Sequence, residues 1–296
     1  SRPGGTMTHT TAAATTSSSG ASQDRSVSAL AWVSSSLSAL VVAVNLSVMS
    51  VAFDALGSSF PDAKLSTLGW VLSIYTIVFG AFLVPAGRLA DHLGRRKVFL
   101  TGLLVFAASS VVAALAPAIW VVIAGRIGQG IGAACLVPST LGLLLDAMPV
   151  DRRASATAAY SMLASIGGIA GPTVGAVLID AGGWRAAFWI APVCAFGSWI
   201  TGRRSLPEHR GRRSGPLPDL LGALLVIVAL AALSFGILQS RDWGWTSPGV
   251  IGSLVLTVLM VPLFVARCAR HPVPVLPLNL ARIRSFGWSN VASALY

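Results

Sequence analysis

Apolar residues in this chain do not alternate with polar ones on a helical or a strand period; they fall in long unbroken blocks. "WVLSIYTIVFGAFLVPA" (70–86), "VFLTGLLVFAASSVVAALAPA" (98–118) and "LLGALLVIVALAALSFGIL" (220–238) each approach the roughly 20 residues that a helix needs to cross a bilayer. The blocks predict an all-α, polytopic membrane protein, with spans near 29–53, 67–86, 98–117, 119–145, 155–179, 186–202, 219–239 and 249–266. A ninth block, "SFGWSNVASALY", begins at 285 and reaches the end of the sequence after 12 residues, so the chain reads as truncated after its eighth span.

The gaps between blocks divide the chain. Short loops join spans one to six into an N-terminal bundle over 29–202, and a basic linker rich in Pro and Gly follows at 203–218. Residues 219–266 form a two-helix hairpin, 267–284 a second linker, and 285–296 the start of a C-terminal bundle. Residues 1–28 are rich in Ser, Thr and Ala and read as a disordered tail rather than a secretory signal. Trp243 and Trp245 in the hairpin loop are expected at the membrane interface.

Charge changes the picture only through its placement. The net charge of +11 would suggest a nucleic-acid partner in a soluble protein, but no contiguous basic face with a fold of its own is visible. Seventeen of the 21 Lys and Arg residues fall in every second gap, while the alternate gaps hold only Lys64, Arg185 and Arg241. By the positive-inside rule the amino terminus and the basic loops are expected in the cytoplasm, with the chain multi-pass in the cell membrane. Cys135, Cys194 and Cys268 show no metal-ligand or disulfide spacing and read as packing residues. No nucleophile–base pair, phosphate loop or metal cluster suggests an enzyme or a bound cofactor.

Three stretches depart from plain apolar blocks. "GRLADHLGRRK" (87–97) places five charged residues between two spans; Gly87 and Gly94 permit a tight reversal, and Asp91 sits among cations. Taken alone, the stretch could be a charged turn that only sets topology. In "RIGQGIGAA" (126–134), Arg126 lies about 12 Å into its span, with Gln129 on the same face. A cation at that depth is expensive and marks function by default, although backbone carbonyls could satisfy a structural arginine. "SIGGIAGPTVGA" (165–176) repeats glycine at 167, 171 and 175, a stripe for close helix contact, and Pro172 favours a bend. Ordinary small-residue packing would give the same spacing.

These motifs arrive in the order of the major facilitator superfamily, which the chain resembles from about residue 40 to its end. Gly87, Leu89, Ala90, Asp91, Gly94, Arg95, Arg96 and Lys97 match that family's loop between helices two and three, a latch between helix ends. Arg126, Gln129, Gly130 and Gly132 match its fourth-helix signature, and Gly167, Gly171, Pro172, Gly175 and Ala176 its antiporter signature, which marks exporters. "GWRAAFWIAP" (183–192) resembles the opening of the sixth helix in the fourteen-span drug:proton branch, with Ala186 and Ala191 departing from its Trp and Asn. The extra hairpin also suits that branch.

The resemblance implies export of small, amphipathic or drug-like compounds in exchange for protons by alternating access. It needs no cofactor beyond the proton gradient, and its partners are the bilayer, the substrate and protons. Arg126 and Gln129 become cavity-facing coupling residues, Asn45 a polar cavity residue, Gly87, Asp91, Gly94, Arg95 and Arg96 the latch, and Gly167, Gly171, Pro172 and Gly175 the packing stripe and bend. One departure matters: in "VNLSVMSVAFD" (44–54), Asn45 stands where the branch carries a buried Asp, and Ser50 where it carries Asn. Asn cannot exchange a proton. The carrier is then Asp54 at the outer end of span one, a group in the remaining half, or coupling is weak or absent. An uncoupled facilitator or importer, a non-transporting receptor or scaffold, and an inactive fragment remain as alternatives.

Overall fold

The computed structural model describes residues 12–206, 219–272 and 274–276. Among them all regular structure is helical: α1 (Ala12–Ser59), α2 (Leu65–Leu93), α3 (Arg95–Ala114), α4 (Ile119–Ala147), α5 (Arg153–Ser205), α6 (Leu220–Trp243) and α7 (Pro248–Arg270), with a 3₁₀ turn at Val150–Arg152. Each of the seven carries a segment long and apolar enough to cross a membrane.

Helix α5 contains two spans. Its 53 residues would make a straight rod of about 80 Å, far longer than a bilayer core. The helical path breaks at Gly182 (φ −150°, ψ 17°) and Gly183 (φ 71°, ψ −179°), the second in a region that only glycine enters freely. Before the break, Gly167 and Gly175 follow α1 upward past Leu40 and Val48; after it, Gly197 and Gly202 come back down past Leu37 and Ser34. The limbs therefore run in opposite directions, as the expected fifth and sixth spans, and the described chain has eight.

Local chemistry sets the other boundaries. A single residue, Gly94 at φ 105°, reverses the chain between α2 and α3, and its N–H closes α2 on the Ala90 carbonyl at 2.9 Å. Asp219 caps α6 by accepting from the Gly222 N–H at 2.9 Å, and Ser247 with Pro248 at the first helical position opens α7. Helix α1 starts at Ala12, well ahead of residue 29 where the sequence suggested a disordered tail to end. Residues 12–28 include no proline, and extending a helix already nucleated by the apolar span costs little. Similarly, α5 and α7 run into the expected linkers as far as Ser205 and Arg270. Residues 207–218 and 277–296, which include the rest of both linkers and the expected ninth span, lie outside the described residues.

Helix α1 packs between the two limbs of α5, α4 against α2 and α3, and the α6–α7 hairpin against α2. With lipid outside, association comes from close contact and interhelical hydrogen bonds rather than from hydrophobic burial. Gly171 shows the contact: a Cβ there would lie 2.6 Å from the Ser47 Cβ. Ser34 and Ser198 show the bonds, each hydroxyl donating to the other's backbone carbonyl at 2.9 Å. One apolar cluster gathers Met49, Leu56, Val71, Val122, Trp184 and Phe188, a second Tyr75, Phe99, Leu103, Phe106 and Leu136. Ser66 donates to Asp242 at 2.7 Å, fastening the hairpin to α2, and Arg267 meets Asp219 at 3.1 Å at the hairpin's other end.

Candidate functional site

Between the two apolar clusters lies a polar chain of side chains. Arg126 of α4 is 1% exposed. Its Nε donates to the Val71 carbonyl at 2.9 Å, and its Nη1 donates both to Asn45 Oδ1 at 2.7 Å and to Gln129 Oε1 at 3.0 Å. Gln129 Nε2 donates to Ser110 Oγ at 2.7 Å, and Ser110 to the Phe106 carbonyl at 2.8 Å. The Tyr75 ring lies under the guanidinium, 4.3 Å from centroid to Cζ. The chain thus links α1, α2, α3 and α4.

Every group that holds this cation is neutral. Hydrogen bonds to a charged group contribute about 1.5–3 kcal/mol each, and a desolvated ring face about 2 kcal/mol. Loss of hydration costs several kcal/mol, so the site persists because all its acceptors converge at once. The buried Tyr75 hydroxyl has no hydrogen-bond partner, which leaves one polar atom of the site unused.

The sequence expectations meet this geometry unevenly. Asn45, Arg126 and Gln129 are brought together, but they are enclosed by the bundle rather than facing an open cavity. Helical phase explains the enclosure, because Gly130 and Gly132 let α2 and α3 approach α4 closely on either side. Asp54 does not join them. It is nine residues, or half a turn in phase, from Asn45, on an exposed stripe with Leu46, Ser50 and Ser58. Helical φ/ψ continue through Pro172, inside the first limb of α5, and the break at Gly182–Gly183 is the turn between its two spans. Gly167, Gly171 and Gly175 do form a stripe, and it seats α1.

At the end of the bundle that carries the basic loops, Arg95 reaches two carboxylates on different helices: Asp91 on α2 at 3.0 Å and Asp146 on α4 at 3.1 Å. It lies across Gly142, where a Cβ would stand 2.6 Å from its Nη1. A cavity of about 480 Å³ opens there, lined by Gly87, Arg88, Asp91, Arg95, Pro138 and Gly142. Arg96, expected to act with Asp91, donates to the Arg203 carbonyl at 2.6 Å, near the end of α5. At the opposite end, Arg185 stacks on Trp184 at 4.4 Å and donates to the Ala116 carbonyl at 3.0 Å, holding the α3–α4 loop.

Sequence reading missed Ser110, Tyr75 and Asp146. The first two look like ordinary members of apolar blocks, because only the fold aims Ser110 at Gln129 and Tyr75 at Arg126. Asp146 carried a signal as a carboxylate at a span end.

Known proteins resemble the chain in sequence and in fold. The sequence profile of the Major Facilitator Superfamily matches residues 29–295. The methylenomycin A resistance protein of Streptomyces coelicolor is 34% identical over 260 residues, covering 87% of this chain and 54% of that protein. The multidrug resistance protein Stp of Mycobacterium tuberculosis is 34% identical over 259 residues, covering 83% and 47%. The cephamycin export protein CmcT of Amycolatopsis lactamdurans is 32% identical over 282 residues, covering 94% and 58%. The chain spans about half the length of these relatives. A crystal structure of the peptide transporter POT with sulfate shares the fold, with a TM-score of 0.60 at 16% identity over 82% of this chain and 53% of that one. With the family profile running across bundle, hairpin and both linkers, the chain belongs to the Major Facilitator Superfamily.

Proposed function

We propose that this chain belongs to a secondary active transporter, not an enzyme, that exports small amphipathic compounds in exchange for protons by alternating access. Its multi-pass bundle sits in the cell membrane with the amino terminus and the basic loops in the cytoplasm. The observation that carries this reading is the buried Arg126 network, since a cation enclosed in a membrane bundle is retained where it acts. Relatives named for antibiotic resistance and export support the direction of transport and the drug-like cargo. In this reading Arg126, Gln129 and Asn45 couple the states of the bundle, and the Arg95 bridge between Asp91 and Asp146 latches α2 to α4. Asp54, exposed on α1, is the carboxylate of the first span that can exchange a proton.

A second reading, an uncoupled facilitator, is favoured by one specific observation: Arg126 is bonded to a neutral amide at the position where the drug:proton branch carries a carboxylate. Efflux of a fluorescent cationic dye separates the two. In cells expressing the reading frame that carries this chain, export should collapse with a protonophore and be absent in Arg126→Ala. Export that persists with the protonophore identifies the facilitator, and wild-type export by Arg126→Ala removes the network from the mechanism.

A further inference from the structure

The second limb of α5 carries a stripe on the outside of the bundle. Trp189, Val193 and Phe196 are exposed at 44, 69 and 61%, and their spacing puts them on one helix face. From Val193 the face continues ten residues to Arg203, about 15 Å, the depth of one leaflet of a bilayer core. Phe196 and Trp199 stack with centroids 6.4 Å apart and planes 11° from parallel, making a flat aromatic floor. The Arg203 guanidinium lies over the Trp199 ring at 5.1 Å, and Arg204 is exposed beside it.

Two arginines at this end of the bundle are paired with carboxylates. Arg95 has Asp91 and Asp146, and Arg267 has Asp219. Arg203 and Arg204 have no carboxylate partner among the described residues. The Arg96 bond to the Arg203 carbonyl ties the start of α3 to this last turn, so the pair is held where an apolar face one leaflet deep meets the headgroup level.

We propose that the α3–α5 seam binds an anionic phospholipid, with its phosphate on Arg203 and Arg204 and an acyl chain along Val193, Phe196 and Trp199. Guanidinium planes match phosphate oxygens two at a time, and an aromatic floor favours a lipid over a free anion, because a soluble phosphate gains nothing from the apolar stripe. The site stands whether or not the protein exports.

Competition in vesicles tests it. The full chain is reconstituted in phosphatidylcholine that includes a brominated phosphatidylcholine, and the quench of Trp199 is isolated by subtracting a Trp199→Phe variant. Phosphatidylglycerol should relieve that quench about twenty-fold more effectively than plain phosphatidylcholine, the preference expected of two arginines at an anionic surface. Arg203→Gln with Arg204→Gln should bring the ratio to about one, while the paired Lys variants keep most of it, given that charge is the main term. High salt should weaken the preference in the unaltered protein, which keeps the test independent of whether the Gln variant inserts. Equal competition by the two lipids, a preference that survives the Gln pair or high salt, or relief of quenching by soluble glycerol phosphate to the same extent would each overturn the proposal.

Discussion

Two arginines hold this bundle together in opposite ways. Arg126 is enclosed and bonded only to neutral groups, whereas Arg95 is 34% exposed and bridges two carboxylates, one of them 32% exposed. By ionic strength of partners Arg95 would be the stronger bond; by environment it is the weaker. Water and salt screen the surface pair to about 1 kcal/mol or less, while each neutral bond inside works in a medium that offers no substitute. The buried arginine therefore sets what the bundle tolerates, and the exposed one can be made and broken during movement.

The largest effect should come from Arg126→Ala. It strands the Val71 carbonyl, Asn45 and Gln129 without their shared donor, so thermal stability in detergent should fall by about 3 kcal/mol or more and dye export should be lost. Arg95→Ala should cost about 1 kcal/mol at most in the same assay. Equal losses would break the comparison.

Asn45→Asp should act in the other direction. A carboxylate 2.7 Å from Nη1 gives the buried cation a charge partner and should raise stability by about 1–2 kcal/mol, read as a higher melting temperature. Gly142→Ala changes no charge, yet its Cβ must push Arg95 off Asp146. It should cost roughly 1 kcal/mol and slow export several-fold, with insertion into the membrane unchanged. The smallest effect is expected of Asp146→Asn, below about 1 kcal/mol and abolished at high salt, as measured by melting in a salt series.

The spans, their order and the Arg126–Gln129 pair were legible in the sequence, because a membrane enforces long apolar runs and makes any exception conspicuous. Residues that complete the site were not. Val71 contributes only a carbonyl, which every residue has, and Tyr75 reads as one aromatic among many until α2 crosses α4. Asn45 was found only by resemblance, since an amide in a first span has no signature of its own. The reach of Arg96 was not legible for a related reason: adjacent residues on a helix point about 100° apart, so one loop motif serves two neighbours, Asp91 through Arg95 and the end of α5 through Arg96. The turn between the fifth and sixth spans was legible as a gap between apolar blocks, but not the two glycines that let one helical path fold back on itself there.

The paired serines Ser34 and Ser198 constrain how this half of the molecule can move. Each hydroxyl grips the other helix's main chain, so sliding α1 along the second limb of α5 by one turn, about 5.4 Å, would undo both bonds at once inside an apolar surrounding. Tilting the two together undoes neither. The geometry is a register lock, and it restricts the motion of this pair to rotation as a rigid body.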